Sequence, residues 1–123
     1  MSIFPTKIVL AIDGSEEATL AARTAADIAR KTGSELHVAY VTPVPVAADP
    51  SLDVLRVSEE AEQSAKKRAR QFLDEQLKPV EAAGGVVERR HARVGRPDEE
   101  IVALADELGA GLIVVGSRGL GGD

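Results

Sequence analysis

Cysteine and tryptophan are absent from this chain of 123 residues, and Phe4, Tyr40 and Phe72 are its aromatic side chains. Without cysteine there is no disulfide framework and no thiol chemistry, which fits a reducing cytoplasm. So few rings leave little from which to build a stacking platform for single-stranded nucleic acid. No stretch approaches the ~20 apolar residues that span a bilayer, and no basic-then-apolar leader opens the chain. The formal charge is −5, which disfavours general affinity for nucleic acid or anionic membranes. Any polyanion must therefore be held by local geometry. The expectation is one cytoplasmic domain over residues 1–123, large enough for a single core.

What is present alternates. Lys7–Ile12 is apolar at successive positions, the pattern of a strand covered on both faces. Asp13-Gly14-Ser15 follows, and then Ala18, Ala21, Ala22, Ala25, Ile28 and Ala29 recur at helical spacing, with Ser15 as N-cap and Gly33 as the stop. Residues 35–42 read as a second strand. The stretch from Pro43 to Val57 reads as an extended connection, with Ser58 capping the next helix. That helix has an expected stripe of Ala61, Ala65, Ala69, Phe72, Leu73, Gln76 and Val80. A third strand over Val86–Val94 carries Glu88, Arg89, Arg90 and Arg93, which suits an exposed edge. Pro97 then opens a helix with Ile101, Val102, Leu104, Ala105 and Leu108 as its apolar face. Leu112–Val115 is the fourth strand. Strict alternation implies an open parallel α/β sheet with helices on both faces, ligand-binding where the strand order reverses. The first and fourth strands, ending in Asp13 and Gly116, are the natural pair to flank that crevice.

The fourth strand opens into Gly116-Ser117-Arg118-Gly119-Leu120-Gly121-Gly122. This is neither the dinucleotide nor the Walker pattern, yet consecutive N–H groups in a glycine-rich turn make an anion cradle, to which Arg118 adds charge. The same glycines also serve a tight connection that binds nothing. Asp13 could accept from ribose hydroxyls or hold a divalent cation, or it could simply organise the turn. His37 and His91 have no partner at metal-ligand spacing and read as ordinary surface or sheet histidines. The basic run Lys66–Arg70 is interleaved with acids and reads as a solvated helix face. No catalytic constellation assembles.

Together, Lys-Ile-Val-Leu-Ala-Ile-Asp-Gly-Ser at 7–15, Gly95-Arg96-Pro97, and Leu-Ile-Val-Val-Gly-Ser-Arg-Gly-Leu-Gly-Gly at 112–122 resemble the universal stress protein family over essentially the whole chain. The resemblance implies a Rossmann-like sheet of the adenine nucleotide alpha hydrolase-like type, five-stranded in the family, so that a fourth helix and fifth strand would lie beyond residue 123. Nucleotide-binding members carry Gly, two residues, Gly, nine residues, then Gly and Ser or Thr. Gly116 and Gly119 supply the first pair. By that resemblance Asp13 faces the ribose or the metal, and the backbone of Val41 reads the adenine edge. Ala11, Ile12, Val115, Gly116, Arg118 and Gly119 complete the nucleotide site. The implied ligand is ATP with Mg or Mn, and the implied role is a homodimeric regulatory binding module with at most slow ATP hydrolysis. Alternatives are a member that retains no nucleotide and works through protein contacts, and an adenylate-forming enzyme of the same fold.

Overall fold

The computed structural model describes residues 3–43, 47–49, 54–56 and 59–116. Along them run β1 (Lys7–Ala11), α1 (Glu16–Thr32), β2 (Glu35–Thr42), β3 (Ala47–Asp49), β4 (Val54–Arg56), α2 (Glu59–Ala82), β5 (Arg89–Val94), α3 (Pro97–Leu108) and β6 (Leu112–Val115). Four strands form a parallel sheet in the order β5-β2-β1-β6, the open α/β architecture expected from the alternation.

The apolar runs are buried because helices cover both faces of the sheet. Ile8, Leu10, Ile12, Leu36 and Val38 pack with Ala18, Ala22, Ala25 and Ala29 of α1 and with Leu73, Leu77 and Val80 of α2. On the opposite face Val9, Ala39 and Val41 meet Ile101, Leu104 and Ala105 of α3. Alanines on the buried side of α1 let that helix approach closely, and its start is secured by Ser15, whose Oγ accepts from the Ala18 N–H at 3.1 Å.

Hydroxyl groups tie the amino ends of the strands together. The Thr6 N–H donates to Ser34 Oγ (3.0 Å), and Thr6 Oγ1 accepts from the Gly111 N–H (3.0 Å). Ser34 Oγ also lies 2.7 Å from Thr32 Oγ1, so the end of α1 and the approaches to β1, β2 and β6 share one network.

Several local expectations give way. The Pro43–Val57 connection contains a short antiparallel hairpin, β3 with β4, because main-chain pairing between three-residue strands requires no side-chain periodicity. The third strand of the main sheet begins at Arg89 rather than Val86, and Val86 is 75% exposed. In α2 the buried stripe runs through Leu77, while Gln76 is half-buried, since steps of four and three from Ala65 fall on Ala69, Leu73, Leu77 and Val80. In α3 Val102 is 62% exposed: among the described residues α3 is the one helix on its face of the sheet, and it buries the narrow row of Ile101, Leu104 and Ala105. Ser58 lies outside the described residues.

Candidate functional site

β1, β2 and β6 end on the same side of the sheet. Ala11 pairs with Val115 on one side and Ala39 on the other, and the Ile12 N–H still donates to the Ala39 carbonyl at 3.0 Å. Asp13 therefore leaves β1 between the end of β2, at Val41 and Thr42, and the end of β6, at Gly116. The chain moves from β1 outward to β2 and β5 and returns to β6 on the far side of β1. The order thus reverses between β1 and β6, where diverging connections open a crevice at the carboxyl ends of the strands.

Two glycines shape this mouth. Gly14 has φ +86°, and a Cβ there would stand 2.8 Å from Phe72 Cζ, so the β1–α1 turn lies against a ring of α2. Gly116 is packed against the first turn of α1: a Cβ would collide with the Glu17 carbonyl oxygen and come within 2.6 Å of Ala21 Cβ and 2.8 Å of Ala18 Cα. That contact draws the end of β6 against the start of α1. Asp13 is exposed, and its Oδ1 accepts from the Ser15 N–H at 2.9 Å, which fixes the carboxylate over the turn.

The arrangement brings together Ala11, Ile12, Asp13, Val41, Val115 and Gly116 along one edge. Ile12 and Val41 are buried, whereas Val115 is 61% exposed. Arg118 and Gly119 lie outside the described residues. The start of α1 is no phosphate cradle, because Ser15 already caps it and Glu16 and Glu17 occupy its first turn. Among the described residues no cluster of three or more His, Cys, Asp or Glu side chains forms that could hold a metal, so a cation beside Asp13 would depend on a ligand's own oxygens.

Sequence reasoning missed the aromatic contact at this mouth. Tyr40, near the end of β2, stacks on Phe72 with centroids 4.7 Å apart and planes tilted by 40°. The available signal was Phe72 in the buried stripe of a helix that also had to cover β2, but strand order is needed to bring the rings together. An open cleft of about 850 Å³ lies at the other end of the sheet, lined by Arg23, Asp27, Arg30, Ser34, Gly85 and Glu88 among others. It stands at the amino ends of the strands, away from the reversal of strand order that marks the carboxyl edge as the candidate site. No helix among the described residues is long and apolar enough to cross a membrane.

Comparison with known proteins adds four findings. Residues 5–122 match the family model described as the universal stress protein family. The universal stress protein YxiE of Bacillus subtilis is 33% identical over 121 residues, covering 94% of this chain and 81% of that protein. Among solved structures, the universal stress protein UspA from Lactobacillus plantarum superposes with TM-score 0.71 at 20% identity, over 98% of this chain and 84% of that one. The universal stress protein from Archaeoglobus fulgidus in complex with dAMP has TM-score 0.63 at 28% identity, covering 94% of this chain and 84% of that one.

Proposed function

The chain belongs to the universal stress protein family, and from that premise we propose that it is a regulatory module that binds ATP across the carboxyl ends of β1, β2 and β6. The observation that carries this reading is that Ala11 pairs with both Ala39 and Val115, which leaves Asp13, Val41 and Gly116 just beyond those pairs at the reversal of strand order. The relative from Archaeoglobus fulgidus in complex with dAMP supports an adenine nucleotide as the ligand class. In this reading the Asp13 carboxylate, held by the Ser15 N–H, accepts from ribose hydroxyls, and the backbone of Val41 meets the adenine edge. Ala11, Ile12, Val115 and Gly116 line the ribose side. Arg118 and Gly119 serve the phosphates, which bring Mg or Mn with them.

The module binds and does not turn over at a metabolic rate. Efficient hydrolysis needs a positioned base, whereas Asp13 already has one oxygen committed to the turn. We expect turnover far below the ~10 per second typical of enzymes. The reading also includes self-association, because Ile113 and Val115 leave an apolar face of an edge strand exposed.

Isothermal titration with Mg–ATP tests the proposal on the protein and on Asp13→Ala. Binding that weakens in the variant supports it, and equal affinities remove the role of Asp13. No binding by either would favour the reading in which the exposed β6 face serves protein contacts without nucleotide.

A further inference from the structure

The chain has two histidines, and they meet although 54 positions apart. His37 shares the α3 side of the sheet with Ala39 and Val41, and His91 pairs in register with Ala39. His37 is 3% exposed. Its Nδ1 stands 3.0 Å from His91 Nε2, and its Nε2 stands 3.0 Å from Glu35 Oε1. The ring centroids are 5.3 Å apart.

Hydrogen-bonding valence fixes the protons in this chain of contacts. An ionised Glu35 only accepts, so His37 Nε2 carries a hydrogen; in the neutral ring Nδ1 then accepts from His91 Nε2–H. One further proton is accommodated. It sits on His91 Nδ1, or on His37 Nδ1 with His91 changing tautomer, and either arrangement leaves one N–H between the rings. A second added proton makes two imidazolium ions whose N–H groups face each other across 3.0 Å. The bond between the rings is then lost.

The neighbours of the pair work against that second proton. Arg89 and Arg93 lie on the same face of β5 as His91, and Lys7 pairs with Glu35 in register. Negative charge comes from Glu35 on β2 and from Glu100 and Glu107 on α3, but both α3 carboxylates are engaged by Arg93, at 3.3 and 2.5 Å. Burial is the main cause that pushes His91 down from 6.5 to about 4, followed by the charges of His37, Arg93 and Arg89, against a smaller pull from Glu107.

We propose that Glu35, His37 and His91 form a proton-controlled clasp on β5: the imidazole–imidazole bond ties the edge strand to β2 while the pair holds no more than one added proton, and a second proton releases it. β5 is the strand that yields because, among the described residues, it lies at an edge with β2 alone beside it in the sheet, whereas β1 is paired on both sides. The sign follows from the direction of the shift. His91 favours its neutral form when folded, so its contribution is complete above 6.5 and is lost as the pH falls toward about 4.

Ring resonances of the two histidines, followed by NMR against pH together with amide hydrogen exchange of β5 and β1, test the clasp on the intact chain. We expect His91 to stay neutral to near 4 and the protection of β5, corrected for intrinsic exchange, to fall relative to β1. The limiting slope is up to about tenfold per pH unit, that of one linked proton. His91→Gln, which keeps an N–H donor, should abolish that slope. Two independent titrations at ordinary histidine values, protection of β5 that tracks β1 throughout, or an unchanged slope in His91→Gln would each overturn the proposal.

Discussion

Along β5, Arg90 reaches α2, with Nη2 2.6 Å from Glu81 Oε1 and Nε 3.0 Å from Asp74 Oδ1, while Arg93 reaches Glu100 and Glu107 of α3 on the opposite face. Along β6 the side chains are all apolar. Leu112 and Val114 pack into the core beneath α1, whereas Ile113 and Val115 are 39% and 61% exposed on the other face. The two edges of one sheet are thus secured by different physics. Charged side chains hold β5 to helices above and below and discourage further strands from adding there. β6 is held by a close backbone approach at Gly116 and by apolar packing on one face, and its other face attracts apolar surface. Among the described residues the two edges thus differ in kind, an apolar face at β6 and ion pairs at β5.

The largest expected effect comes from breaking the β6 attachment. Gly116→Val would drive a branched side chain into Glu17, Ala18 and Ala21, backbone atoms among them, so α1 and β6 must separate. We expect a loss of about 3 kcal/mol in chemical denaturation, the upper part of the range for overpacking. At the other edge Arg90→Ala should cost about 1 kcal/mol, since paired surface charges contribute modestly and the lost arginine stem adds some packing. The difference from wild type should shrink in 1 M salt, where the screening length is only about 3 Å. The Arg93 guanidinium holds Glu107 below its ordinary 4.5, so that pair's contribution is present above 4.5 and is lost as pH falls through the lower folded value. Arg93→Ala should therefore flatten the acid limb of the stability profile, measured as unfolding midpoint against pH. Smallest is Val115→Lys, expected to change stability by no more than about 0.5 kcal/mol because the site is mostly exposed. Light scattering should nevertheless show less self-association. An unchanged mass would separate the apolar β6 face from oligomer formation.

Much of this asymmetry was legible in the sequence. Continuous apolar residues at 8–12 announced a strand covered on both faces, and the arginines of 89–93 announced an edge. Asp13 and Gly116 were legible as candidates for a site because each ends an apolar run in a turn. Register was not legible. Alternation assigns His37 and His91 to faces, but only the pairing of β2 with β5 brings the rings together, and a shift of one residue would part them. The burial of Val102 was misjudged because periodicity gives the direction of an apolar stripe and not the width that a neighbouring surface will cover.

The hydroxyl network around Thr6 has a mechanical consequence. With Thr6, Ser34 and Gly111 fastened together at the amino ends, the strands resemble the ribs of a fan held at the rivet. At the far rim Asp13 and Gly116 lie just beyond the last paired residues of β1 and β6. A molecule bridging Asp13, Val41 and Gly116 would act as a second rivet there. The stiffening should be detectable as slower hydrogen exchange in β6, an edge strand, more than in β1, which is flanked on both sides.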